Sequence, residues 1–347
     1  MTTVLRLTPH RPEPDAIAAA AACLRRGGLV AFPTETVYGL GVAALDAPAV
    51  RRLFAAKGRP ADDPLIVHVS GLGDLDALVV DRPASVEALA ARFWPGPLTL
   101  VLRRSALVPD EVTAGLDTVA VRVPAHPVAR ALLAAAGVAV AAPSANLFSR
   151  PSPTQAAHVL EDLDGRIDMV LDAGPTEVGV ESTVLDLSRD VPEILRPGAV
   201  TMAMLQPLLP HVRTRRAGEG TGPQRSPGLL TKHYSPRAPL TLYEGAPARV
   251  LARLQHDVDA ARAAGRRVGV LLPDDDALTS ADAVRPSIGR AADAATMAAR
   301  LYAALRELDA AGVDEIFARA LPVADGLAQA IDDRLRRAAA GRVVQCD

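Results

Sequence analysis

The chain has 347 residues, long enough for two domains, and combines 49% hydrophobic with 22% charged residues, so packed cores form and wholesale disorder is excluded. Its net charge of −2 excludes a protein that coats nucleic acid by bulk charge. No apolar run approaches the ~18 residues of a membrane span. The two cysteines, Cys23 and Cys346, make neither a CxxC nor a disulfide framework, so no membrane, no metal site and a cytoplasmic, reducing setting are expected.

In chain order, residues 12–26 read as a helix closed by Gly27-Gly28; its alanine-rich stretch 16–22 is too short, lies between charged residues and lacks the basic start and cleavage site of a secretion signal. Residues 29–32 form a short buried strand. The segment 33–41 after it reads as a strand-to-helix loop, in which Thr34, Glu35 and Thr36 are set among apolar residues and two glycines allow close backbone approach. A helix over 46–56 takes Asp46 as its N-cap. A strand (64–69), a helix (84–93), strands (98–102 and 119–123), a helix (127–135) closed by Gly137, a strand (138–142) and a helix (154–160) follow. Strands at 169–171, 183–187 and 194–195 complete this half. Without a strict strand–helix rhythm, the pattern argues for an α/β or α+β domain around a twisted mixed sheet.

Residues 211–240 form a connector with four glycines and four prolines. Its second half, 226–236, carries Leu229, Leu230 and Tyr234 beside Lys232 and His233, which is not ordinary linker composition and predicts docking. Strands at 240–243, 268–272 and 313–318 then alternate with helices at 246–264, 291–311 and 326–340, the pattern of a small parallel sheet with flanking helices. The expected division is a catalytic domain over 1–210, a linker and active-site lid over 211–239, and a smaller Rossmann-like domain over 240–347.

Among 38 basic residues only Lys57 and Lys232 are lysines. Lys57-Gly58-Arg59-Pro60 forms a rigid cationic turn that suits phosphate oxygens, arginine binding them in bidentate fashion and lysine as a point charge; a solvated loop has the same composition. Pro143-Ser144-Ala145-Asn146 follows a buried strand, where open α/β sheets bind ligands, and Ser152-Pro153-Thr154 offers hydroxyls at a helix start. Arg122 interrupts an apolar strand and needs an anionic partner, either a ligand or a protein carboxylate. His68 is the one histidine placed well for such a site, with a structural role as the alternative. No GxxxxGK[ST], GxGxxG, GxSxG or HExxH occurs, and no nucleophile–base pair is evident, so the chemistry rests on positioning and charge stabilisation, as in nucleotidyl transfer.

These segments, taken in order, resemble one family. Residues 27–41, Lys57 to Pro60, Asp63 to His68, Trp94 to Thr99, Val121 to Pro124, Ala142 to Asn146, Glu181 to Thr183 and Leu195 to Gly198 are similar to YrdC-like threonylcarbamoyl-AMP synthases, over residues ~10–200. The connector and C-terminal domain resemble the long form of that enzyme. The resemblance implies that L-threonine, bicarbonate and ATP yield threonylcarbamoyl-adenylate and pyrophosphate, with Mg²⁺ accompanying ATP. The product passes to the machinery that transfers threonylcarbamoyl to tRNA beside the anticodon. It implies that Thr36, His68, Arg122, the backbone of Ala142, and Ser182 hold threonine. It assigns ATP to Lys57, Arg59, Asp63, Thr118, Ser144, Asn146, Ser152 and Arg196, with Tyr234 arriving from the connector; Lys57 and Arg59 are the catalytic cations. Asp63 departs from the Asn often found there, and a carboxylate facing phosphate needs a metal or partner cation. The rival reading is a module that binds double-stranded RNA or tRNA without catalysis. Near-neutral charge and 3% aromatic content weigh against it, and weak RNA binding stays open beside catalysis.

Overall fold

Alternating strand and helix segments fold into two compact units, each around its own sheet. The computed structural model describes residues 1–215, 233–279, 282–321 and 326–346. Of these, 1–148 and 153–215 form the first unit, and 149–152 with 233–346 form the second. Lys232, Leu229, Leu230 and most of the connector lie outside the described residues.

The first unit runs β1 (Thr3–Arg6), α1 (Pro14–Arg25), β2 (Val30–Pro33), β3 (Tyr38–Ala43), α2 (Ala47–Lys57), β4 (Ile66–His68), a 3-10 turn (Leu72–Ala77), α3 (Ser85–Phe93), β5 (Leu98–Arg103), α4 (Asp110–Thr113), β6 (Thr118–Arg122), α5 (Pro127–Ala136), β7 (Val140–Ala141), α6 (Ala156–Leu163), β8 (Met169–Asp172), β9 (Thr183–Asp186), β10 (Glu193–Arg196), α7 (Met202–Leu205) and β11 (Arg213–Thr214). Its strands make one mixed sheet in the order β1-β8-β2-β3-β7-β4-β6-β5-β9-β10-β11. Local chemistry sets the boundaries. Asp46 caps α2 by accepting the Ala49 N–H at 3.0 Å, and Gly137, at φ 62°, closes α5. The segment 33–41 differs from the expected strand-to-helix loop: Tyr38–Ala43 turns back antiparallel onto β2 as a hairpin. The buried run Tyr38, Leu40, Val42 supplies the inward face that this pairing needs.

The second unit runs β12 (Leu240–Gly245), α8 (Pro247–Ala263), β13 (Val268–Leu271), α9 (Ala294–Ala310), β14 (Glu315–Arg319), α10 (Gly326–Ala339) and β15 (Val343–Cys346). All its pairings are parallel, in the order β13-β14-β12-β15, as the strand–helix alternation anticipates; β15 is an addition that the periodicity of 343–346 does not announce. Ser149–Ser152 is held within this unit. Ser235 donates its N–H to the Ser149 carbonyl at 2.7 Å, Arg306 Nη2 donates to the Pro151 carbonyl at 2.6 Å, and Arg150 pairs with Asp309 at 3.2 Å. Among the described residues no helix is long and apolar enough to cross a membrane.

Candidate active site

The cationic turn is a helix ending. Gly58 lies at φ 61°, ψ 29°, the left-handed region that a side chain disfavours. There its N–H donates to Ala55 O at 3.3 Å and that of Arg59 to Phe54 O at 3.1 Å, the reversal that closes α2. Both cations turn inward: Lys57 is 2% and Arg59 8% exposed, which removes the solvated-loop alternative. The Lys57 ammonium donates to the carbonyls of Ser144 and Asn146, and the Phe148 N–H donates to Lys57 O at 2.9 Å. Lysine therefore anchors the 144–148 loop. Burial first, and Arg59 second, pull the ammonium pKa well below the ordinary lysine range.

Arg59 gathers the turn that follows it. Its Nε donates to Asp63 O at 3.2 Å, its Nη2 donates to Pro64 O at 2.9 Å, and Nη2 meets the Asp63 carboxylate at 2.9 Å. Asp63 thus has its partner cation. Burial still pushes its carboxyl above the usual range, with Arg59 opposing.

A second cluster sits on the central strands. In the parallel β4–β6 pair His68 lies opposite Arg122 and Ile66 opposite Ala120, so these four residues share one face. Strand alternation puts Thr118 on it too. Ile66, Val101, Ala120, Val184 and Leu195 form its apolar floor. Ala142 reaches the same strands by donating its N–H to Ile66 O at 2.9 Å. Arg122 is 4% exposed; its Nη2 meets Glu35 at 2.7 Å and its Nε donates to Gly96 O at 3.2 Å. The protein carboxylate that a strand-interior arginine calls for is therefore Glu35.

Thr36 is fully buried, its hydroxyl 2.8 Å from that of Thr34. Ser182 Oγ lies 2.8 Å from Thr99 Oγ1 and accepts from Arg196 Nη2 at 3.2 Å, while Arg196 Nε donates to Ser182 O at 3.1 Å. Gly198 permits this junction, because a Cβ there would come within 2.4 Å of the Thr183 nitrogen. Ser152 and Tyr234 fall in the second unit, where the Tyr234 ring lies 5.5 Å from that of Tyr302 and Arg334 stands over it. The structure thus groups Lys57 with Ser144 and Asn146, Arg59 with Asp63, His68 with Arg122 and Thr118, and Ser182 with Arg196. Glu35 and Thr99 join these groups without having been assigned a role from sequence. Thr99 stands as a hydroxyl in an apolar run, whereas Glu35 lies between two threonines and its burial has no local signal.

Several buried side-chain atoms here make no aligned hydrogen bond: His68 Nδ1, Arg122 Nη2, Glu35 Oε1 and both Asp63 oxygens. Of these, Glu35 Oε1 faces Arg122 Nη2 and Asp63 Oδ2 faces Arg59 Nη2 as ion pairs, which leaves His68 Nδ1 and Asp63 Oδ1 as buried polar atoms without an aligned partner. His68 is neutral there, its pKa lowered to about 3 by burial and then by Arg122. The unfolded imidazole takes up a proton near pH 6.5, which the folded one resists until about pH 3, so stability falls as pH drops through that window. Urea denaturation at pH 7 and pH 5 is expected to show ~2 kcal/mol of this loss in the wild type and its absence in His68→Asn; parallel losses in both proteins would contradict the assignment.

Comparison with known proteins places these motifs in context. Residues 22–198 match the Sua5/YciO/YrdC family, described as telomere recombination, and residues 200–340 match the threonylcarbamoyl-AMP synthase C-terminal domain. The chain is 48% identical to the threonylcarbamoyl-AMP synthase of Bacillus subtilis over 95% of its own length and 94% of that protein. It is 41% identical to that of Pyrococcus abyssi over 99% of its own length and 100% of that protein. Its structure is similar to that of P. abyssi Sua5 complexed with L-threonine, with a TM-score of 0.93, 41% identity and 99% of each chain covered.

Proposed function

The chain belongs to the threonylcarbamoyl-AMP synthase family in its two-domain form, and on that premise we propose that the clusters described above join L-threonine, bicarbonate and ATP into L-threonylcarbamoyl-AMP, releasing pyrophosphate. The reaction is a nucleotidyl transfer whose product serves threonylcarbamoyladenosine modification of tRNA beside the anticodon. The observation that supports this division of labour is the separation of charge into two buried clusters: Arg122 with neutral His68 on the paired strands β4 and β6, and, at the end of α2, Lys57 on the 144–146 loop with Arg59 beside Asp63.

In this reading Arg122 meets the threonine carboxylate, and Thr36, His68, Ser182 and the Ala142 backbone hold its remaining polar groups. Lys57, Arg59, Asp63, Thr118, Ser144, Asn146, Ser152, Arg196 and Tyr234 serve ATP. The threonine amine condenses with bicarbonate to a carbamate, losing water. A carbamate oxygen then bonds to the α-phosphorus as the bond from that phosphorus to the bridging oxygen breaks and pyrophosphate leaves. No acid–base residue is required at phosphorus; the cations stabilise charge on the phosphates. Among the described residues no group of three or more His, Cys, Asp or Glu gathers to hold a metal. Asp63 is a buried carboxylate whose Oδ2 pairs with Arg59 and whose Oδ1 lacks an aligned hydrogen bond, so Oδ1 fits Mg²⁺ carried chiefly by phosphate and water. Mg²⁺ would neutralise phosphate charge there.

Purified chain supplied with ATP, Mg²⁺ and bicarbonate is expected to release pyrophosphate only when L-threonine is added. Release that ignores threonine, or none with all components present, rules the reading out.

A further inference from the structure

We infer that Glu35 is a positioning residue for threonine: it holds the Arg122 guanidinium so that one nitrogen is left for the substrate carboxylate. The inference rests on the reading of Arg122 as the carboxylate partner. Glu35 sits in the β2–β3 turn and is 6% exposed. Its two oxygens are divided. Oε1 meets Arg122 Nη2 at 2.7 Å, and Oε2 accepts the Ala125 N–H at 3.0 Å, three residues past Arg122 along the chain. The turn that carries it is pinned from another side, since Glu35 O accepts the Val178 N–H at 2.8 Å and Thr36 O that of Gly179 at 3.1 Å.

The guanidinium is held at two of its three nitrogens. Nε donates to Gly96 O, Nη2 faces Glu35, and among the described residues Nη1 has no hydrogen-bond partner. Two fixed nitrogens define the plane of a guanidinium, so the direction of the third is set before substrate arrives. Neither Glu35 Oε1 nor Arg122 Nη2 makes an aligned hydrogen bond, which marks the contact as an ion pair with hydrogen-bonding capacity to spare. The pair also cancels the charge of a buried arginine, and a site of zero net charge suits an amino-acid zwitterion. A glutamine at 35 has one carbonyl oxygen and cannot serve both Arg122 and Ala125. An aspartate keeps the charge but is one methylene too short to span both.

The test is steady-state kinetics on the full chain with Glu35→Gln, Glu35→Asp and Arg122→Lys, with melting temperatures taken alongside. Glu35→Gln and Glu35→Asp are expected to raise KM for threonine about tenfold, equivalent to about 1.4 kcal/mol, while KM for ATP stays within twofold. Arg122→Lys is expected to raise it further. An unchanged threonine KM in Arg122→Lys overturns the carboxylate assignment and the inference together. A raised KM in Arg122→Lys with unchanged threonine KM in the Glu35 variants overturns the inference alone. Equal rises in both KM values, or loss of folding in both Glu35 variants, assign Glu35 to the scaffold and overturn it as well.

Discussion

Replacing Lys57 by alanine is expected to lower kcat/KM for pyrophosphate release at least ~100-fold while the chain stays folded. The size follows from where the ammonium is spent. Lys57 is almost wholly buried at the end of α2, and its hydrogens go to the carbonyls of Ser144 and Asn146. Without them two buried carbonyls lose a charged donor, each at ~1–3 kcal/mol, and the loop that presents the Ser144 hydroxyl and the Asn146 amide loses its anchor. A loss of ~3 kcal/mol in transition-state stabilisation corresponds to the stated factor. Lys57→Arg is expected to fail as well, because a planar fork cannot replace a compact ammonium between two converging carbonyls in a closed site. Circular dichroism and the melting curve separate this from unfolding. Turnover within threefold of wild type in Lys57→Ala would remove Lys57 from the machinery.

The sequence marks Lys57 as a rare lysine in a cationic turn, but not where its ammonium points. Scarcity of lysine and the Lys57-Gly58-Arg59-Pro60 pattern identify a rigid cationic turn, because helix ending and charge are local properties. That the ammonium meets backbone carbonyls from residues 144 and 146 depends on β3 and β7 pairing, which is not local. The same limit hid Glu35. A carboxylate in a polar loop carries no signal of burial until the hairpin of β2 and β3 forms and carries it to Arg122 at the end of β6. That hairpin was itself obscured by the polar residues 34–36, which read as loop although the flanking apolar residues pair. In the second half the strand–helix rhythm is strong and the parallel sheet is legible, since each apolar run is long and separately punctuated. β1, β11 and β15 are edge strands that stay largely exposed or half-buried, so no buried apolar run marks them.

Arg59→Met is expected to abolish turnover and to destabilise the fold by ~3–5 kcal/mol, and adding Asp63→Asn is expected to restore most of the stability and none of the activity. The two effects separate because Arg59 does two things. As a partner it neutralises Asp63 at 2.9 Å, with side chains only 3% and 2% exposed, and removing one member of such a pair strands the other charge. As a cation it belongs to the proposed phosphate site, a role that an amide at 63 cannot fill. Asp63 adds a pH signature. Its folded pKa is already raised by burial against the pull of Arg59, and loss of Arg59 raises it further. A carboxyl with a raised folded pKa holds its proton in the folded state after the unfolded chain has lost it. The contribution is therefore complete below the unfolded pKa and is lost as pH rises through the folded one. The stability deficit of Arg59→Met relative to wild type should accordingly grow as pH rises from about 4 to 7, and should vanish as a pH-dependent term in the double variant. Urea denaturation across that range decides it: a deficit independent of pH, or one that Asp63→Asn leaves untouched, would show that the cost of losing Arg59 comes from its carbonyl contacts to Asp63 and Pro64 rather than from the carboxylate it leaves behind.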